Sequence, residues 1–231
     1  YNSKSGERGI FSSANAKKHI EKLEDRREAI DDFGTNPCSE IILRPREFCN
    51  LTEAVIRPED TKNSLGRKIV HATILGTWQS TLTNFRYLSS KWKTNCEEER
   101  LLGVSLTGIM DCPLTNGSSG ENLPSLLTHL KEVATSTNKI HAEEIGINQS
   151  ASVTCVKPSG TVSQLVDSAS GIHTRHSPFY IRTVRSDVKD PLCNLLIDSG
   201  VPHEPDITNP SNVMVFSFPM RSPESSLTRK D

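Results

Sequence analysis

The sequence lacks the features that place a protein in a membrane or on a strongly charged polymer. Its 231 residues contain no apolar run near bilayer-spanning length and no charged-then-apolar opening of the secretory type. The formal net charge is only −1, and lysine and arginine are spread along the chain without a basic block. We therefore expect a cytoplasmic protein that binds neither a membrane nor nucleic acid.

The cysteines also lack the spacing of common metal or redox motifs. There are six, at positions 38, 49, 96, 112, 155 and 193, and no two are separated by two residues. This spacing argues against a zinc knuckle or a thioredoxin-type pair. Because six cysteines without a secretory signal point to a reducing compartment, we expect free thiols. For the last four, a small buried apolar side chain is the simplest interpretation.

Helical and extended patterns alternate along the chain. Charged or periodic segments predict helices at 12–32, 59–95, 123–146 and 190–199, and apolar or β-branched stretches predict strands at 39–43, 48–56, 98–111, 152–156 and 179–186. This alternation favours an α/β fold with mostly parallel strands. In the 59–95 helix, one predicted core face consists of Ile69, Ala72, Leu75, Trp78 and Leu82.

We expect a single partial domain over residues 1–231. Residues 1–34 form its lead-in helix and turn, and residues 205–231 form an irregular end. The chain starts with Tyr1, and both of its ends are polar and rich in turn-forming residues. We therefore expect a fragment of a longer protein.

Two segments are candidate binding sites. "KPSGT", residues 157–161, predicts a turn that opens a helix, where free backbone N–H groups and the hydroxyls of Ser159, Thr161 and Ser163 suit a phosphate. The Walker A spacing is absent, so a plain capped turn remains an alternative. "SGIHTRHSPFYIR", residues 170–182, carries two histidines and two arginines, but too few convergent ligands for a metal, and a solvated loop is favoured.

A third segment, "TNPCSEIILRPREFCNL", residues 35–51, combines two cysteines and a carboxylate. Asn36-Pro37 enforces a turn, and an extended stretch after it would put Cys38 and Glu40 on one face. A carboxylate disfavours a nearby thiolate, so the pair suits a neutral thiol beside a general base. Such a thiol can lose a hydrogen atom to become a sulfur radical, with Cys49 as a second redox sulfur. Two ordinary buried cysteines remain the alternative.

These motifs together resemble one enzyme family. "NPCSE", a cysteine eleven residues later in "FCNL", "LLGVSLTGIMD", "KPSGTVSQL" and "SGIHTRHSPFYIR" are similar to segments of the adenosylcobalamin-dependent, or class II, ribonucleotide reductases. The resemblance extends from about residue 5 to about residue 200. The class I enzymes usually have Leu where Pro37 stands and a wider gap to the second cysteine.

The resemblance implies a ten-stranded α/β barrel with a finger loop that carries the radical cysteine. It implies that Cys38 is the thiyl residue, generated with adenosylcobalamin, and that Glu40 is the base for the substrate 3′ hydroxyl. Asn36 would bind the substrate, and Cys49 would be one of two reducing thiols. The resemblance also implies that the phosphates of a ribonucleoside di- or triphosphate are bound by Pro158, Ser159, Gly160, Thr161 and Ser163. It implies that His173 contacts the cofactor.

Several parts of the family pattern are missing from this sequence. The partner thiol of Cys49, an allosteric nucleotide region and the C-terminal cysteine pair that accepts electrons from thioredoxin are not recognisable. We therefore expect the second half of the catalytic barrel, which needs an N-terminal half and thioredoxin or a similar reductant. Two alternatives remain open: the large subunit of a class I reductase, and an inactive remnant that only binds nucleotides.

Overall fold

The computed structural model describes residues 9–22 and 27–230. The chain divides into two compact units, Tyr1–His173 and Thr174–Asp231. The first unit contains two two-stranded sheets and the second unit one three-stranded sheet, and the single partial domain expected from the sequence stays a prediction. No helix among the described residues is long and apolar enough to cross a membrane.

The first unit contains six α-helices and four strands within the described residues. The helices are α1 (Ser13–Glu21), α2 (Lys62–Gln79), α3 (Ser90–Glu99), α4 (Pro113–Asn116), α5 (Leu123–Glu144) and α6 (Val162–Leu165). The strands are β1 (Gly34–Thr35), β2 (Ile42–Leu43), β3 (Asn50–Val55) and β4 (Leu102–Thr107). A short 3-10 helix, Ile109–Asp111, follows β4.

The lead-in region is helical only at its start. The sequence predicts helix over 12–32, whereas α1 begins after its cap at Ser12 and ends at Glu21; residues 23–26 of the prediction lie outside the described part. The buried Ala16 and Ile20 of α1 pack with Phe33, just before β1. The helix therefore anchors the strand that leads into the 35–51 segment.

The centre of the first unit is a parallel pair of strands. β3 and β4 run in register from Asn50 opposite Leu102 to Val55 opposite Thr107. The 152–156 stretch, predicted as a strand, lies on the other side of β4 and makes one isolated parallel bridge, between Val104 and Thr154. The predicted parallel α/β arrangement is therefore present around β4.

Helices α2 and α5 cover one face of this sheet. A capping box at Thr61 starts α2, because its hydroxyl and that of Ser64 each accept the other residue's backbone N–H. The Asn122 side chain caps α5 in a similar way. The buried core contains residues of both helices and of the strands, among them Leu65, Ile69, Leu102, Val104, Leu126 and Leu130.

The predicted 59–95 helix is divided into α2 and α3, with residues 80–89 between them, and its predicted core face is only partly correct. Ile69 and Ala72 are buried, but Leu75, Trp78 and Leu82 are exposed by 57%, 54% and 73%. Threonines occupy the buried positions instead. The hydroxyls of Thr73 and Thr77 donate to the carbonyls of the residues four positions earlier in the helix, so they enter the core without an unpaired donor.

A short hairpin packs on the opposite face of the sheet. β1 and β2 pair antiparallel, with Gly34 opposite Leu43, and the connecting turn spans residues 36–41. Ile41, at the end of that turn, packs with Leu101 and Ala151. A Cβ on Gly103 would lie 3.3 Å from Ile41 Cδ1 and would overlap Leu51 Cδ2. Glycine at this position therefore lets the hairpin lie close to β4.

The second unit is an antiparallel sheet with one helix. Its elements are β5 (Phe179–Asp187), α7 (Pro191–Asp198), β6 (His203–Pro205) and β7 (Val213–Arg221), with strand order β5-β7-β6. The expectation of an irregular 205–231 end is wrong, because β7 lies inside it and pairs with β5 over nine residues. The expectation of mostly parallel strands also fails here. The apolar residues of "VMVFSF" become ordered by pairing with a strand that is distant in sequence.

Candidate active site

The hairpin turn places Cys38 at an exposed tip. The Asn36 carbonyl accepts the Ser39 N–H at 3.0 Å, and its side-chain oxygen accepts the Ile41 N–H at 3.1 Å. Ser39 has a φ of 63°, which reverses the chain direction between Cys38 and Glu40. The prediction of an extended stretch here is therefore wrong, because Asn36-Pro37 and Asn36's own side chain favour a turn.

Cys38 and Glu40 nevertheless meet, through a lysine from elsewhere in the chain. The Lys157 ammonium lies 3.0 Å from Glu40 Oε1 and donates to Cys38 Sγ at 3.7 Å. The Glu40 side chain is only 3% exposed, and that of Lys157 is 24% exposed. One buried carboxylate, one exposed thiol and one partly buried ammonium thus form a compact cluster.

The surroundings keep Glu40 ionised. Burial by itself raises the pKa of Glu40, but its own backbone N–H, the Lys157 ammonium and the Asn36 amide together outweigh burial and lower that pKa. The pKa of Lys157 is raised, chiefly by its hydrogen bond to Glu40. The pair is therefore charged at neutral pH, with a carboxylate able to accept a proton close to the Cys38 sulfur.

Two further thiols lie on the hairpin side of the sheet. Cys49 and Cys155 are half-buried and pack against the cluster of Ile41, Leu101 and Ala151. Burial raises the pKa of Cys49, and the nearby Cys155 and Glu40 raise it further. Burial likewise raises the pKa of Cys155 to about 12, with Glu40 adding to the shift. Both sulfurs are therefore neutral thiols at physiological pH.

The turn at 157–161 follows directly from the strand-like segment beside β4. Its backbone is fixed where the Lys157 N–H donates to the buried Ser105 hydroxyl at 2.9 Å. The Ser159 hydroxyl is buried and donates to Glu53 Oε2 at 3.1 Å. Pro158, Gly160 and Thr161 are exposed. The exposed part of the turn is thus its backbone and the Thr161 side chain.

Ser163 and His173 occupy different positions from the rest of the predicted site. Ser163 is fully buried and donates its hydroxyl to the Gly160 carbonyl, so it supports the turn from within. His173 is exposed, and its backbone N–H donates to Ser170. Within the described part of the chain, no hydrogen bond or ion pair joins His173 to Cys38 or Lys157. The described residues also contain no cluster of three or more His, Cys, Asp or Glu side chains suited to a metal.

The sequence patterns do not identify Lys157, Glu53 and Cys155 as neighbours of Cys38, Glu40 and Cys49. The signal that could have found them is the alternation of side chains between the two faces of parallel strands. Cys49, directly before β3, and Glu53, within it, are an even number of residues apart, which places them on one side of the sheet, and Glu53 is in register with Ser105 on β4. The parallel bridge between Val104 and Thr154 places the segment of Cys155 and Lys157 beside β4. The residues that become neighbours can be deduced only when the pairing of these strands is known.

The chain is similar to curated adenosylcobalamin-dependent ribonucleoside-triphosphate reductases. The match to the enzyme of Lactobacillus acidophilus is 29% identical over 245 residues and covers 94% of this chain. The enzyme of Levilactobacillus brevis is 26% identical over the same share, and that of Euglena gracilis is 29% identical over 86% of this chain. No family model matches the chain. These similarities confirm the resemblance inferred from the motifs.

A solved structure has a similar fold. It is described as a B-12 dependent (class II) ribonucleotide reductase, with a TM-score of 0.70 and 24% identity over 89% of this chain. The chain spans only 32% of the length of that protein and of the Lactobacillus acidophilus enzyme. The comparison therefore supports the fold of a part of such an enzyme.

Proposed function

We propose that the protein reduces ribonucleoside triphosphates to 2′-deoxyribonucleotides through a thiyl radical on Cys38. The observation that carries this proposal is the meeting of the Cys38 thiol, the Glu40 carboxylate and the Lys157 ammonium at the hairpin turn. The triphosphate is chosen over the diphosphate because the similar enzymes are named triphosphate reductases. The same names favour an adenosylcobalamin-dependent enzyme over the large subunit of a class I reductase.

Cys38 supplies the hydrogen-atom chemistry in this proposal. Its side chain is exposed at the tip of a turn, so a substrate and a radical source can both reach the sulfur. Loss of the S–H hydrogen atom gives a neutral sulfur radical, which then takes the 3′ hydrogen of the ribose. No charge develops at the sulfur, which suits a site that already holds the Glu40 carboxylate.

Glu40 and Asn36 act on the ribose hydroxyls. The ionised Glu40 accepts the proton of the 3′ hydroxyl, while the adjacent 2′ hydroxyl takes a proton from the pair of reducing thiols that includes Cys49 and leaves as water. Asn36 is fixed by its bonds to the Ile41 and Ser39 backbones, so its amide stays beside the carboxylate. The buried position of Glu40 lowers the local dielectric and strengthens these contacts.

Cys49 supplies reducing electrons. Two thiols that become a disulfide release the two electrons and two protons that reduction of the 2′ carbon requires. As a protonated thiol, Cys49 suits this role. The partner thiol comes from the remainder of the barrel, and thioredoxin or a similar dithiol restores the pair.

The 157–161 turn binds the substrate phosphates in this proposal. Gly160 and Thr161 present exposed backbone and hydroxyl groups, and Pro158 fixes the entry to the turn. Ser159 would have to turn its hydroxyl from Glu53 toward a phosphate. Ser163 contributes by supporting the turn through the Gly160 carbonyl.

Adenosylcobalamin fits the exposed thiol. The Cys38 sulfur stands at a loop tip, where a bulky group can approach it, and the exposed His173 imidazole is the candidate protein contact to that group. When bound, adenosylcobalamin supplies an organic radical that accepts a hydrogen atom. The chain's own residues position the sulfur, hold its S–H hydrogen and keep the neighbouring carboxylate ionised.

The proposed catalytic barrel is larger than the part that this chain forms. The chain matches 32% of the length of its relatives, so we infer that the ten-stranded barrel is completed by an N-terminal half. In that barrel the β1–β2 hairpin is the finger loop. The parallel strands β3 and β4, with the hairpin packed on one face, support this arrangement.

The test begins with the transcript that encodes this chain. Its open frame is read to both ends, and the whole product is assayed with a ribonucleoside triphosphate, adenosylcobalamin and a dithiol. Deoxyribonucleotide formation is expected, and Cys38→Ala should abolish it while nucleotide binding survives. Cys193→Ala is the matched control, since that buried cysteine lies in the second unit. A Cys38→Ala product that still makes deoxyribonucleotide would show that another group carries the radical.

A second variant separates radical formation from reduction. Cys49→Ser should stop multiple turnovers while hydrogen exchange between the cofactor and solvent, through Cys38, continues. If that exchange is lost as well, Cys49 has a role other than reduction. A product that binds nucleotide but shows neither exchange nor cobalamin binding would favour the inactive remnant.

A further inference from the structure

Lys157 connects two parts of the site that are far apart in sequence. It is the first residue of the 157–161 turn, and its ammonium reaches a cysteine 119 positions earlier in the chain. Its side chain lies 3.0 Å from Glu40 and 3.7 Å from the Cys38 sulfur. A flexible side chain held by two groups at once fixes their relative position better than either contact alone.

The backbone of Lys157 is itself anchored. Its N–H donates to the hydroxyl of Ser105, a residue of β4 that is only 1% exposed. β4 is the central strand of the parallel arrangement, between β3 and the segment of Thr154. The lysine is therefore fixed at its base to the central strand of the sheet, and at its tip it contacts the turn of a hairpin with only two paired residues in each strand.

The charges around Glu40 make Lys157 its principal positive partner. The groups that influence or face Glu40 are the thiols of Cys38, Cys49 and Cys155, the Asn36 amide and the Lys157 ammonium. Lys157 is the cation in this group. A carboxylate that is 3% exposed is costly to ionise without a cationic partner. Removal of the ammonium would therefore favour a neutral Glu40, which cannot accept a proton.

We propose that Lys157 is a positioning residue that ties the Cys38 thiol and the Glu40 carboxylate to β4. This inference rests on the proposed function for its catalytic meaning, but the electrostatic coupling can be tested without activity. A competing role is direct binding of the substrate phosphates, because Lys157 is the first residue of the 157–161 turn. The two roles differ in which kinetic constant they affect.

The first experiment measures the coupling itself in the 231-residue chain. The carboxyl carbon of Glu40 is followed by NMR during a pH titration, with Glu40→Gln used to assign its signal. In Lys157→Met the pKa of Glu40 should rise, and in Lys157→Arg, which keeps the charge, it should stay low. Lys139→Met, a change of an exposed lysine on α5, is the matched control and should leave the Glu40 signal unchanged.

The outcomes of this titration decide the proposal. An upward shift in Lys157→Met that is absent in Lys157→Arg and Lys139→Met supports it. An unchanged Glu40 titration in Lys157→Met overturns it, whether or not the protein proves to be a reductase. If Lys157→Met does not fold, Lys157→Gln is titrated instead and is judged by the same criterion.

The second experiment separates positioning from phosphate binding in the active full-length product. A positioning role predicts that Lys157→Met lowers kcat at least tenfold with a nearly unchanged KM for the triphosphate, and that Lys157→Arg restores part of the rate. A raised KM with an unchanged kcat would overturn the proposal in favour of phosphate binding. An inactive wild-type product would instead contradict the proposed function, and the Glu40 titration would still decide the role of Lys157.

Discussion

Gly103 offers a direct test of how the hairpin is held on the sheet. A Cβ at this position would overlap Leu51 Cδ2 and would lie 3.0 Å from Cys155 Sγ and 3.3 Å from Ile41 Cδ1. Its neighbours are packed in the cluster that supports Cys49 and the hairpin turn. Gly103→Ala must therefore push the hairpin or the Leu51 side chain away from β4.

The magnitude follows from the cost of overpacking a core. Inserting a carbon into a filled site typically costs about 1 to 3 kcal/mol, so the free energy of unfolding should fall by about that amount. For a protein of this size, the melting temperature should fall by roughly 2 to 12 °C. Gly66→Ala provides the matched control, because a Cβ there meets nothing within 4 Å and the site is inside α2. Alanine at position 66 should stabilise by about 0.5 to 1 kcal/mol.

The assay follows the unfolding of the first unit alone. Both tryptophans, Trp78 and Trp92, belong to that unit, so their fluorescence in urea reports on the sheet and its helices. Relative to the wild type, Gly103→Ala should lower the urea midpoint and Gly66→Ala should raise it. If Gly103→Ala unfolds at the wild-type midpoint or above it, then the hairpin is not packed against β4 at this residue, and the reasoning about the turn's support fails.

Two further predictions concern the buried ion cluster behind the hairpin. Arg27 lies 2.9 Å from Glu99 and 3.3 Å from Glu47 and is 4% exposed, so Arg27→Met should lower the free energy of unfolding by about 3 to 5 kcal/mol. Lys17→Met, which removes an exposed pair with Asp31, should shift the urea midpoint far less, and equal shifts would contradict the role of burial. Burial, followed by the nearby Glu99, raises the pKa of Glu47 from 4.5 to about 8. Between these two pKa values the folded protein keeps a proton on Glu47 that the unfolded chain releases, so the free energy of unfolding should fall as pH rises. In Glu47→Gln the urea midpoint should depend less on pH over this range. An unchanged pH dependence in the variant would contradict the raised pKa of Glu47.

Local sequence signals predicted the turn at the site but not its shape. Asn36-Pro37 predicts a turn, because proline restricts its own backbone and that of its predecessor, and the structure has a turn there. The extended continuation through Cys38 and Glu40 was wrong, since the Asn36 side chain accepts the Ile41 N–H and Ser39 adopts a positive φ. A hydrogen bond from a backbone N–H to a nearby side chain can favour a turn over a strand across a few residues. A strand prediction that uses only the alternation of side chains takes no account of such a bond.

Hydrophobic periodicity located the long helices but misjudged their buried faces. The 123–146 prediction corresponds closely to α5, Leu123–Glu144. On α2, however, the expected apolar residues Leu75 and Trp78 are exposed, while Thr73 and Thr77 are fully buried. The threonine hydroxyl donates a hydrogen bond to a backbone carbonyl of its own helix, so threonine can be buried although it is counted as a polar residue.

Features that depend on neighbouring residues can be predicted from the amino-acid sequence: the turn before Cys38, the long helices and the motifs shared with class II reductases. The contacts of Lys157 with Cys38 and Glu40, and the position of Cys155 on the same side of the sheet as Cys49, are visible in the folded chain and not in its sequence. These contacts join segments more than 100 residues apart and depend on the register of β4 with its two neighbours. That register is set by packing across the sheet, which has no local signature in the sequence.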